Sequence, residues 1–454
     1  MALNMSKKNL LFLMNLIIMI ILLIIFNKGY SKFTRIDFKI SKSEKNNDNF
    51  IKFDSFINNS GIKNIINPSD LVRNKNNANM LIDNFKLNHK NIIQKTSDLK
   101  LVFNIDVGGG YCNKLYSFIS SLLIALLTKS ALIIKWEHID KHIEEPLYLS
   151  FSRFNDNNEF NHQYKKDTIH HQGASYYCYR KNKNMDEHVK TTIPNNTNRI
   201  LYDSICPFFF ELCSNPIYYD VFLQYGLAKQ ETIDKARVVF KNLTQYSNDV
   251  KMRVFLQIGL EVGGSILNIF WKPKKEIQDL INFYHKTHFQ GNYVIGLQIR
   301  IEFLQNNLKF SDFKNETQFY DKIITQFMIC ALDFEINLLQ DQNFFKKYKS
   351  IKWFVISDNM KIIEKISDLY PNKVIKTNGT VLHVFFDPNG YTKAILDNEL
   401  LSKCDELILS SGSSFGFTAA LRKQSLPLYI DMIKQKCSRT DFADLPTTGS
   451  AALI

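Results

Sequence analysis

The sequence predicts an α/β fold built from two halves that face a cleft. A strand-like run, Leu99 to Val107, stops at a triple-glycine turn and is followed by a long apolar helix and a second strand. Helices and apolar strands alternate again from residue 291 onward. Strand, turn, helix and strand make a βαβ unit with a parallel sheet. We therefore expect one α/β domain over 99–290 and another over 291–454, with 99–290 more irregular between 137 and 249.

The N-terminal segment predicts a membrane anchor. Leu10 to Phe26 is almost entirely apolar, and as a helix it would span about 25 Å, close to the short limit for one crossing. No small-residue cleavage pattern follows it. We expect a tail over 1–9, a transmembrane signal-anchor over 10–26, and a partly disordered Lys- and Asn-rich stem over 27–98. Lysines flank both ends of the span, so charge alone leaves its orientation open.

The composition indicates which kinds of partner and which compartment suit this chain. The formal net charge is +13, but the lysines are scattered among asparagines, which argues against nucleic-acid binding. Seven cysteines form no C-x-x-C pair, and Cys206 with Cys213 could close a small loop. Five sequons are compatible with a lumenal chain, starting at Asn58, Asn195, Asn242, Asn315 and Asn378.

The first candidate site is the turn from Gly108 to Asn113. It follows a predicted strand and opens a predicted helix, whose first N–H groups can bind anions. It lacks the last glycine of the dinucleotide-binding fingerprint. Tight-turn geometry alone would also explain these glycines.

The second candidate site is the strand "NYVIGLQIRIE", in which Gln298, Arg300 and Glu302 share one face. A guanidinium beside an apolar core needs an anion. That anion is either an internal carboxylate or a bound diphosphate, whose oxygens suit a planar guanidinium.

The third candidate site is the turn "SSGSSFG", Ser410 to Gly416. Its small residues could cradle phosphate oxygens or could simply cap a helix. Asp358 also ends a strand and could accept hydrogen bonds from a sugar or base, although a helix N-cap is the simpler interpretation.

The sequence lacks the motifs that are typical of several enzyme classes. The chain has no D-x-D pair for Mg²⁺ or Mn²⁺, no G-x-S-x-G elbow and no G-K-[ST] phosphate loop. His138 and His142 could face one way on a helix, but no third ligand has suitable spacing. We expect no metal site and no cofactor.

In this order along the chain, the motifs resemble the plant xyloglucan fucosyltransferases. "GYCNK", "ALLT", "ALIIKW" and "EPL" between Gly110 and Leu147 are similar to that family's glycine turn, helix, strand and acidic segment. "IGLQIRIEF" is similar to its I-G-I-Q-I-R-V-F strand, and "GSSFGF" to its W-S-T-F-G-Y motif. The resemblance covers most of 99–430.

The resemblance implies two Rossmann-like domains in the GT-B arrangement and metal-independent, inverting fucosyl transfer from GDP-fucose, with an alpha-1,2 bond to galactose as the expected linkage. It also implies a single-pass type II Golgi membrane protein with a lumenal head. The domain over 291–454 would hold the sugar nucleotide, and the domain over 99–290 the glycan acceptor. Arg300 would stabilise the diphosphate, and the positions expected near the donor are Gly110, Asn113, Gly296, Gln298, Asp358, Ser413, Ser414 and Phe415. No residue is assigned as general base.

Departures from the family pattern leave alternatives open. Cys112, Lys114, Gly412 and Ser414 stand where the family has glycine, arginine, tryptophan and threonine. An inactive membrane-anchored glycan-binding protein of the same fold is one alternative, because fold alone does not establish chemistry. A GT-B transferase with another donor or a protein acceptor is the other.

Overall fold

The computed structural model describes most of the chain after residue 67. The described residues are 68–94, 100–105, 109–151, 168–171, 199–202, 208–241, 248–301, 315–380, 390–432 and 436–439. The chain divides into two compact units, Met1–Asn64 and Ile65–Ile454, and every described residue belongs to the second. The predicted anchor over 10–26 and Glu302 therefore lie outside the described residues.

The first sheet is parallel throughout. Its strands are β1 (Leu101–Ile105), β2 (Ala131–Lys135), β3 (Thr168–His171) and β4 (Arg199–Tyr202), in the order β2-β1-β4-β3. Helix α2 (Tyr111–Thr128) connects β1 to β2, so the predicted βαβ unit is confirmed. Its apolar side chains are buried along most of its length.

A helix lies inside the segment that the sequence assigns to the stem. Helix α1 (Pro68–Gln94) buries Ile92 and Ile93 against the face of β1 and β2 that carries Phe103 and Ile133. The expectation of a partly disordered stem is therefore wrong for 68–94. The apolar side chains of α1 recur every three or four residues, which gives it one buried face.

Mainly helical segments follow the first sheet. They are α3 (Phe209–Ser214), α4 (Tyr219–Gln224), α5 (Gln230–Lys241), α6 (Asn248–Phe270) and α7 (Lys275–Tyr284), which continues as a π-helical turn, His285–Phe289. By length and composition, α2 and α6 could each cross a membrane, but most of their residues are buried inside the fold. Burial of this kind is typical of core helices.

The second sheet contains six strands. In chain order its elements are β5 (Tyr293–Ile299), α8 (Glu316–Leu339), α9 (Phe344–Lys347), β6 (Ile351–Ser357), α10 (Met360–Leu369), β7 (Val374–Ile375), α11 (Gly390–Ser402), β8 (Glu406–Ser410), α12 (Ser414–Lys423), β9 (Leu428–Asp431) and β10 (Lys436–Arg439). The strand order is β10-β9-β8-β5-β6-β7, with only β10 antiparallel among the described strands. The helices and strands predicted from residue 291 onward are confirmed as elements.

This strand order reverses direction between β5 and β8. Counting from β5, the order is 3-2-1-4-5-6, the order of the classic doubly wound sheet. The chain moves outward from β5 through β6 to β7, then returns to β8 on the other side. Ligands of such sheets bind at the carboxyl ends of the two strands where the reversal occurs.

The face of β5 that carries Ile295, Leu297 and Ile299 packs against α8 and α10. The opposite face packs against the segment from α11 to β8. At Gly296, an added Cβ would lie 2.6 Å from Leu401 Cδ1 and 2.9 Å from Cys404 Sγ. The absence of a side chain at Gly296 lets this segment approach the strand.

Helix α6 joins the two halves by packing against α12. An added Cβ on Gly264 would lie 2.0 Å from the carbonyl oxygen of Leu421. Gln424 donates hydrogen bonds to the Glu261 carbonyl and to Ser265 Oγ. The two helices therefore touch at backbone distance.

The cysteine pairing differs from the sequence expectation. Cys213 is a buried free thiol, so the proposed bridge from Cys206 to Cys213 is wrong. Cys213 belongs to α3 and is fully buried in the core. A disulfide joins Cys330 of α8 to Cys437 of β10.

Candidate functional site

The candidate site begins where β5 and β8 end side by side. Ser410, the last residue of β8, accepts a hydrogen bond at Oγ from the backbone N–H of Arg300 (2.8 Å). The same hydroxyl donates to the carbonyl oxygen of Gln298 (3.2 Å). Because this is the topological reversal of the sheet, Arg300 leaves the strand at the expected ligand crevice.

Arg300 is paired with a carboxylate from the neighbouring strand end. Its Nε lies 3.4 Å from Asp358 Oδ2, and its side chain is 30% exposed. Asp358 Oδ1 also accepts the backbone N–H of Ile301 at 2.7 Å. Asp358 therefore holds both the main chain after β5 and one edge of the guanidinium.

Asp358 is not the helix cap that its position suggested. Asn359 is the N-cap of α10, and its Oδ1 accepts the N–H of Lys361. Asp358 instead faces Arg300 and Ile301, where it positions the arginine. The prediction that Asp358 caps the helix is therefore wrong, because the cap is the next residue, Asn359.

The ion pair bears on both interpretations of Arg300. An internal carboxylate does accompany the guanidinium, as the structural alternative requires. However, the contact is made through Nε, at a partly exposed position beside the serine turn. The pair therefore fixes the arginine at the crevice and does not enclose it in the core.

The serine turn leads directly into α12. Gly412 has φ +74°, a left-handed conformation that favours glycine. Ser413 is the N-cap of α12 and is buried, yet its side chain makes no capping hydrogen bond. Ser414 and Phe415 form the first turn of α12, where main-chain N–H groups lack helical partners. This turn combines a helix N-terminus with two serine hydroxyls.

The glycine turn leads into α2 in a similar way. Gly110 is the N-cap of α2, and its carbonyl oxygen accepts the N–H of Asn113 at 3.0 Å. Gly109 has φ +85°, and an added Cβ there would lie 3.3 Å from Asn113 Nδ2. The Asn113 side chain therefore lies over a turn that requires glycine.

Asn398 of α11 joins the first turns of α2 and α12. Its Nδ2 donates to the Phe415 carbonyl (2.8 Å) and Thr418 Oγ1 (2.9 Å). The same group lies 3.6 Å from Cys112 Sγ. This contact brings the first turns of α2 and α12 together, and with them Gly110, Asn113, Ser413, Ser414 and Phe415.

The pKa of the Cys112 thiol depends on its burial and on the positive charges near it. Burial raises the pKa of its thiol to about 12, while a hydrogen bond with Thr418 and the positive charges of Arg422 and Arg300 act in the opposite direction. Arg300 is thus close enough to the first turn of α2 to act on it electrostatically. The arginine and both helix N-termini contribute positive potential to one crevice.

Two buried acceptors near this crevice have no hydrogen-bond partner among the described residues. Gln298 is 3% exposed, and its Oε1 would be 2.8 Å from a Cβ added to Gly416 in the first turn of α12. Asn398 is 1% exposed, and its Oδ1 is likewise unsatisfied. Unsatisfied buried acceptors are uncommon and indicate a missing donor, such as a ligand hydroxyl or a water molecule.

Gly296 differs in its surroundings from the other predicted site residues. It lies in the interior of β5 and is tightly packed against Leu401 and Cys404. Packing between strand and helix explains a glycine at this position. The location of Gly296 near the donor stays a prediction.

The sequence analysis missed several polar contacts around the crevice. Buried Lys114 donates a hydrogen bond from Nζ to Tyr391 OH (3.0 Å), which links α2 to α11. Asp397 of α11 is buried beside Lys393 and Thr377, and burial raises the pKa of its carboxyl. The polar "LDN" inside an otherwise apolar helical run was the available signal for Asp397 and Asn398.

The described residues contain no cluster of three or more His, Cys, Asp or Glu side chains placed to bind a metal. His138 has φ +63° and precedes a 3₁₀ turn, so it does not share an α-helical face with His142. His142 instead contacts Thr392 Oγ1 through Nδ1 (3.2 Å). The histidine pair is explained by local packing.

Comparison with known proteins gave distant structural matches. No protein-family model matches the chain, and no curated protein matches it. A mutant of FUT1 from Arabidopsis thaliana in complex with GDP has a TM-score of 0.49 and 15% identity, covering 79% of this chain and 82% of that one. NodZ alpha-1,6-fucosyltransferase, from Bradyrhizobium, co-crystallised with GDP, has a TM-score of 0.43 and 15% identity, covering 76% and 99%.

The same NodZ enzyme soaked with GDP-fucose has a TM-score of 0.43 and 14% identity, again covering 76% of this chain and 99% of that one. At this distance, a function for the present chain depends on its own residues.

Proposed function

We propose that this protein transfers fucose from GDP-fucose to a hydroxyl group of a glycan. The observation that supports this most is the position of Arg300 at the reversal between β5 and β8, beside the N-termini of α2 and α12. The motif resemblance supplies the identity of the donor. GDP and GDP-fucose are also the ligands named for the solved structures above.

The geometry suits the departure of a nucleoside diphosphate. Cleavage of the fucose–phosphate bond increases negative charge on the diphosphate oxygens while the sugar gains oxocarbenium character. A guanidinium held in place by Asp358, together with two helix N-termini, stabilises that charge more strongly in the transition state than in the ground state. In an inverting displacement, the acceptor hydroxyl attacks the sugar carbon from the face opposite the departing GDP.

Finer features of the proposal come from the sequence. They are the GT-B arrangement of domains over 99–290 and 291–454, transfer without a metal ion, and an alpha-1,2 linkage to galactose. The N-terminal anchor over 10–26, the type II orientation in the Golgi membrane and glycosylation of the lumenal head belong to the same proposal. The domain over 99–290 is proposed to bind the glycan acceptor.

GDP release measures the proposed reaction directly. The full-length protein would be incubated with GDP-fucose and a panel of galactosylated acceptors, beside Arg300→Ala and Arg237→Ala. Arg237 is a matched control, because it pairs with Asp220 and Asp234 on helices outside the crevice. We expect turnover by wild type and Arg237→Ala, and a loss of roughly 10²–10³-fold in Arg300→Ala.

Repeating the assay with other sugar nucleotides, beside a GDP-binding titration, distinguishes the alternatives. GDP binding without turnover on any acceptor would favour a glycan-binding protein of the same fold. Release of a different nucleotide from another sugar donor would indicate a transferase with another specificity. Equal rates in wild type and Arg300→Ala would remove the proposed role of the arginine.

A further inference from the structure

A second depression lies at the opposite end of β5 from the donor crevice. It has a volume of about 500 Å³ and is lined by Tyr293, Leu338, Phe344 and Tyr348, together with charged residues of α9 and the loop before it. Tyr293 begins β5 and Ile299 ends it, so at about 3.3 Å per residue roughly 20 Å separates the two sites. The depression is therefore distinct from the crevice around Arg300.

Three aromatic rings form one group at this depression. The Tyr293 and Tyr348 rings meet at 86° with centroids 5.1 Å apart, and Phe344 packs against Tyr348 at 5.3 Å. Phe344 is buried, which anchors the group. Beside it, the ring of Phe345 stands at 89° to Phe344 and is 68% exposed.

The rim of the depression is polar and carries two adjacent cations. Lys347 Nζ lies 4.9 Å from the centre of the Tyr348 ring. Lys346 Nζ donates to Asn343 Oδ1 at 2.9 Å. Asp341 also lines the depression and accepts the Asn343 N–H. Rings, ammonium groups and amide or carboxylate groups thus surround one concave surface.

Backbone hydrogen bonds hold this surface in place. Tyr348 N donates to the Phe344 carbonyl at 2.9 Å, and Lys349 N donates to the Gly291 carbonyl at 2.8 Å. Tyr293 N donates to the Ser350 carbonyl at 2.9 Å. The segment from Phe344 to Ser350 is therefore attached to the start of β5, so a ligand would meet a preformed site.

We propose that this depression is a second saccharide-binding site, which binds an acidic sugar unit of a glycan. The C–H face of a sugar ring packs on aromatic rings such as Tyr293 and Tyr348, while its hydroxyls bond to amide and carboxylate groups. Lys346 and Lys347 select a negatively charged unit, either a carboxylate or a sulfate ester. The volume falls within the range typical of small-molecule sites.

The shape favours a saccharide over a bilayer surface. The depression is concave, whereas lipid headgroups present a broad flat face. A binding role here is independent of the transfer reaction, because the site lies at the other end of the strand.

The test is a binding titration of the full-length protein in detergent, with saturating GDP to occupy the donor crevice. The ligands are a galacturonate oligosaccharide, a sulfated oligosaccharide, a neutral galactan oligosaccharide, and phosphatidylcholine vesicles with or without phosphatidylglycerol. The variants are Tyr348→Leu and the double change Lys346→Gln with Lys347→Gln, all at residues that line the depression. Phe283→Ala is the control, since Phe283 is an exposed ring on α7. Thermal unfolding and GDP binding are measured on every variant.

We expect the galacturonate or the sulfated oligosaccharide to bind, with affinity roughly tenfold lower in Tyr348→Leu and in the double lysine variant. Binding should be unchanged in Phe283→Ala, and GDP affinity unchanged in all variants. The stronger of the two anionic ligands would identify the charged group.

Three results would overturn the proposal. The first is binding of no saccharide by the wild-type protein. The second is equal binding of anionic and neutral oligosaccharides, or binding that Tyr348→Leu leaves intact. The third is vesicle binding lost in Tyr348→Leu without any saccharide binding, which would assign the surface to lipid.

Discussion

The two sheets are both parallel at their centres, but they are stabilised in different ways. The first sheet is covered along β2 by α1, whose buried His89 links it to the edge strand and to the Tyr148 carbonyl. The second sheet carries its polar contacts at the carboxyl ends of β5, β6 and β8, where Arg300, Asp358 and Ser410 meet. We expect the first arrangement to contribute chiefly stability and, under the proposed function, the second to contribute chiefly to the reaction.

This contrast predicts that changes to the two regions affect different measurements. Substitutions at His89 should alter unfolding without altering nucleotide binding. Substitutions at Asp358 should alter catalysis with little effect on unfolding. A change at the α6–α12 contact should alter both.

The largest expected effect is the loss of stability at acid pH through His89. Leu132 N donates to its Nδ1, and its Nε2 lies 2.9 Å from the Tyr148 carbonyl, so the buried ring is neutral. Burial lowers the pKa of His89 to about 4, with the Tyr148 hydrogen bond acting the other way. In the unfolded chain the pKa of this histidine is about 6.5. The neutral ring therefore stabilises the fold fully above pH about 6.5, and this stabilisation is lost as the pH falls to about 4. The loss amounts to about 3 kcal/mol.

Denaturant unfolding of wild type and His89→Gln across that pH range measures the contribution of His89 to the free energy of unfolding. The variant should lose less stability than wild type between pH about 6.5 and about 4, although it starts from a lower value. His285→Gln, on the surface, is the control. Parallel pH profiles for wild type and His89→Gln would contradict the assignment.

Asp358→Asn should lower kcat by roughly a hundredfold. The asparagine can still accept the Ile301 N–H, but it no longer attracts the Arg300 guanidinium, and small errors in position are costly to catalysis. We expect kcat to fall far more than KM rises, with thermal unfolding almost unchanged.

Asp321→Asn is the matched control, because Asp321 is an exposed carboxylate paired with Lys365 away from the crevice. A drop in unfolding temperature with normal kcat would make Asp358 a structural residue only.

Gly264→Ala should destabilise the protein by about 1–3 kcal/mol and should also weaken GDP binding. A methyl group at Gly264 would clash with the Leu421 carbonyl, which forces α12 away from α6. Because α12 begins at the serine turn, its displacement should reach the crevice. Urea unfolding and GDP titration measure the two effects. Lower stability with unchanged GDP affinity would show that the junction and the crevice are independent.

The smallest expected effect is that of Ser410→Ala, at about 1 kcal/mol in unfolding free energy. The change removes the hydroxyl that joins the Arg300 N–H to the Gln298 carbonyl. Since it loosens the main chain at the reversal, GDP affinity should also fall, by several-fold. Urea unfolding and calorimetric titration measure both, and unchanged GDP affinity would mean that this hydroxyl does not support the site.

The sequence predicted the elements of the second sheet well, because apolar strands alternate with glycine or serine turns and amphipathic helices. It also indicated Arg300, since a cation beside five apolar residues needs a specific partner. The residues alone left open a carboxylate or a diphosphate as the partner, and the family resemblance favoured the diphosphate. The structure shows that Asp358 accompanies the arginine at a partly exposed crevice, and diphosphate binding there stays a prediction.

The misses have physical causes. The sequence of α1 does show helical spacing of the residues that become buried, which are Ile82, Phe85, His89 and Ile92. The many Lys and Asn residues around them nevertheless favoured the prediction of a disordered stem. Gly296 was assigned to the site through the family resemblance of its strand, and its tight packing gives a second reason for a glycine there. Asn398 was missed because its role depends on three elements that only the folded chain brings together.

The most direct test of the central claim compares the affinities of GDP and guanosine for wild type and Arg300→Ala. If Arg300 binds the diphosphate, wild type should prefer GDP by roughly a hundredfold, and the variant should lose most of that preference while keeping its affinity for guanosine. An Arg300→Ala protein that still prefers GDP as strongly as wild type would contradict the account.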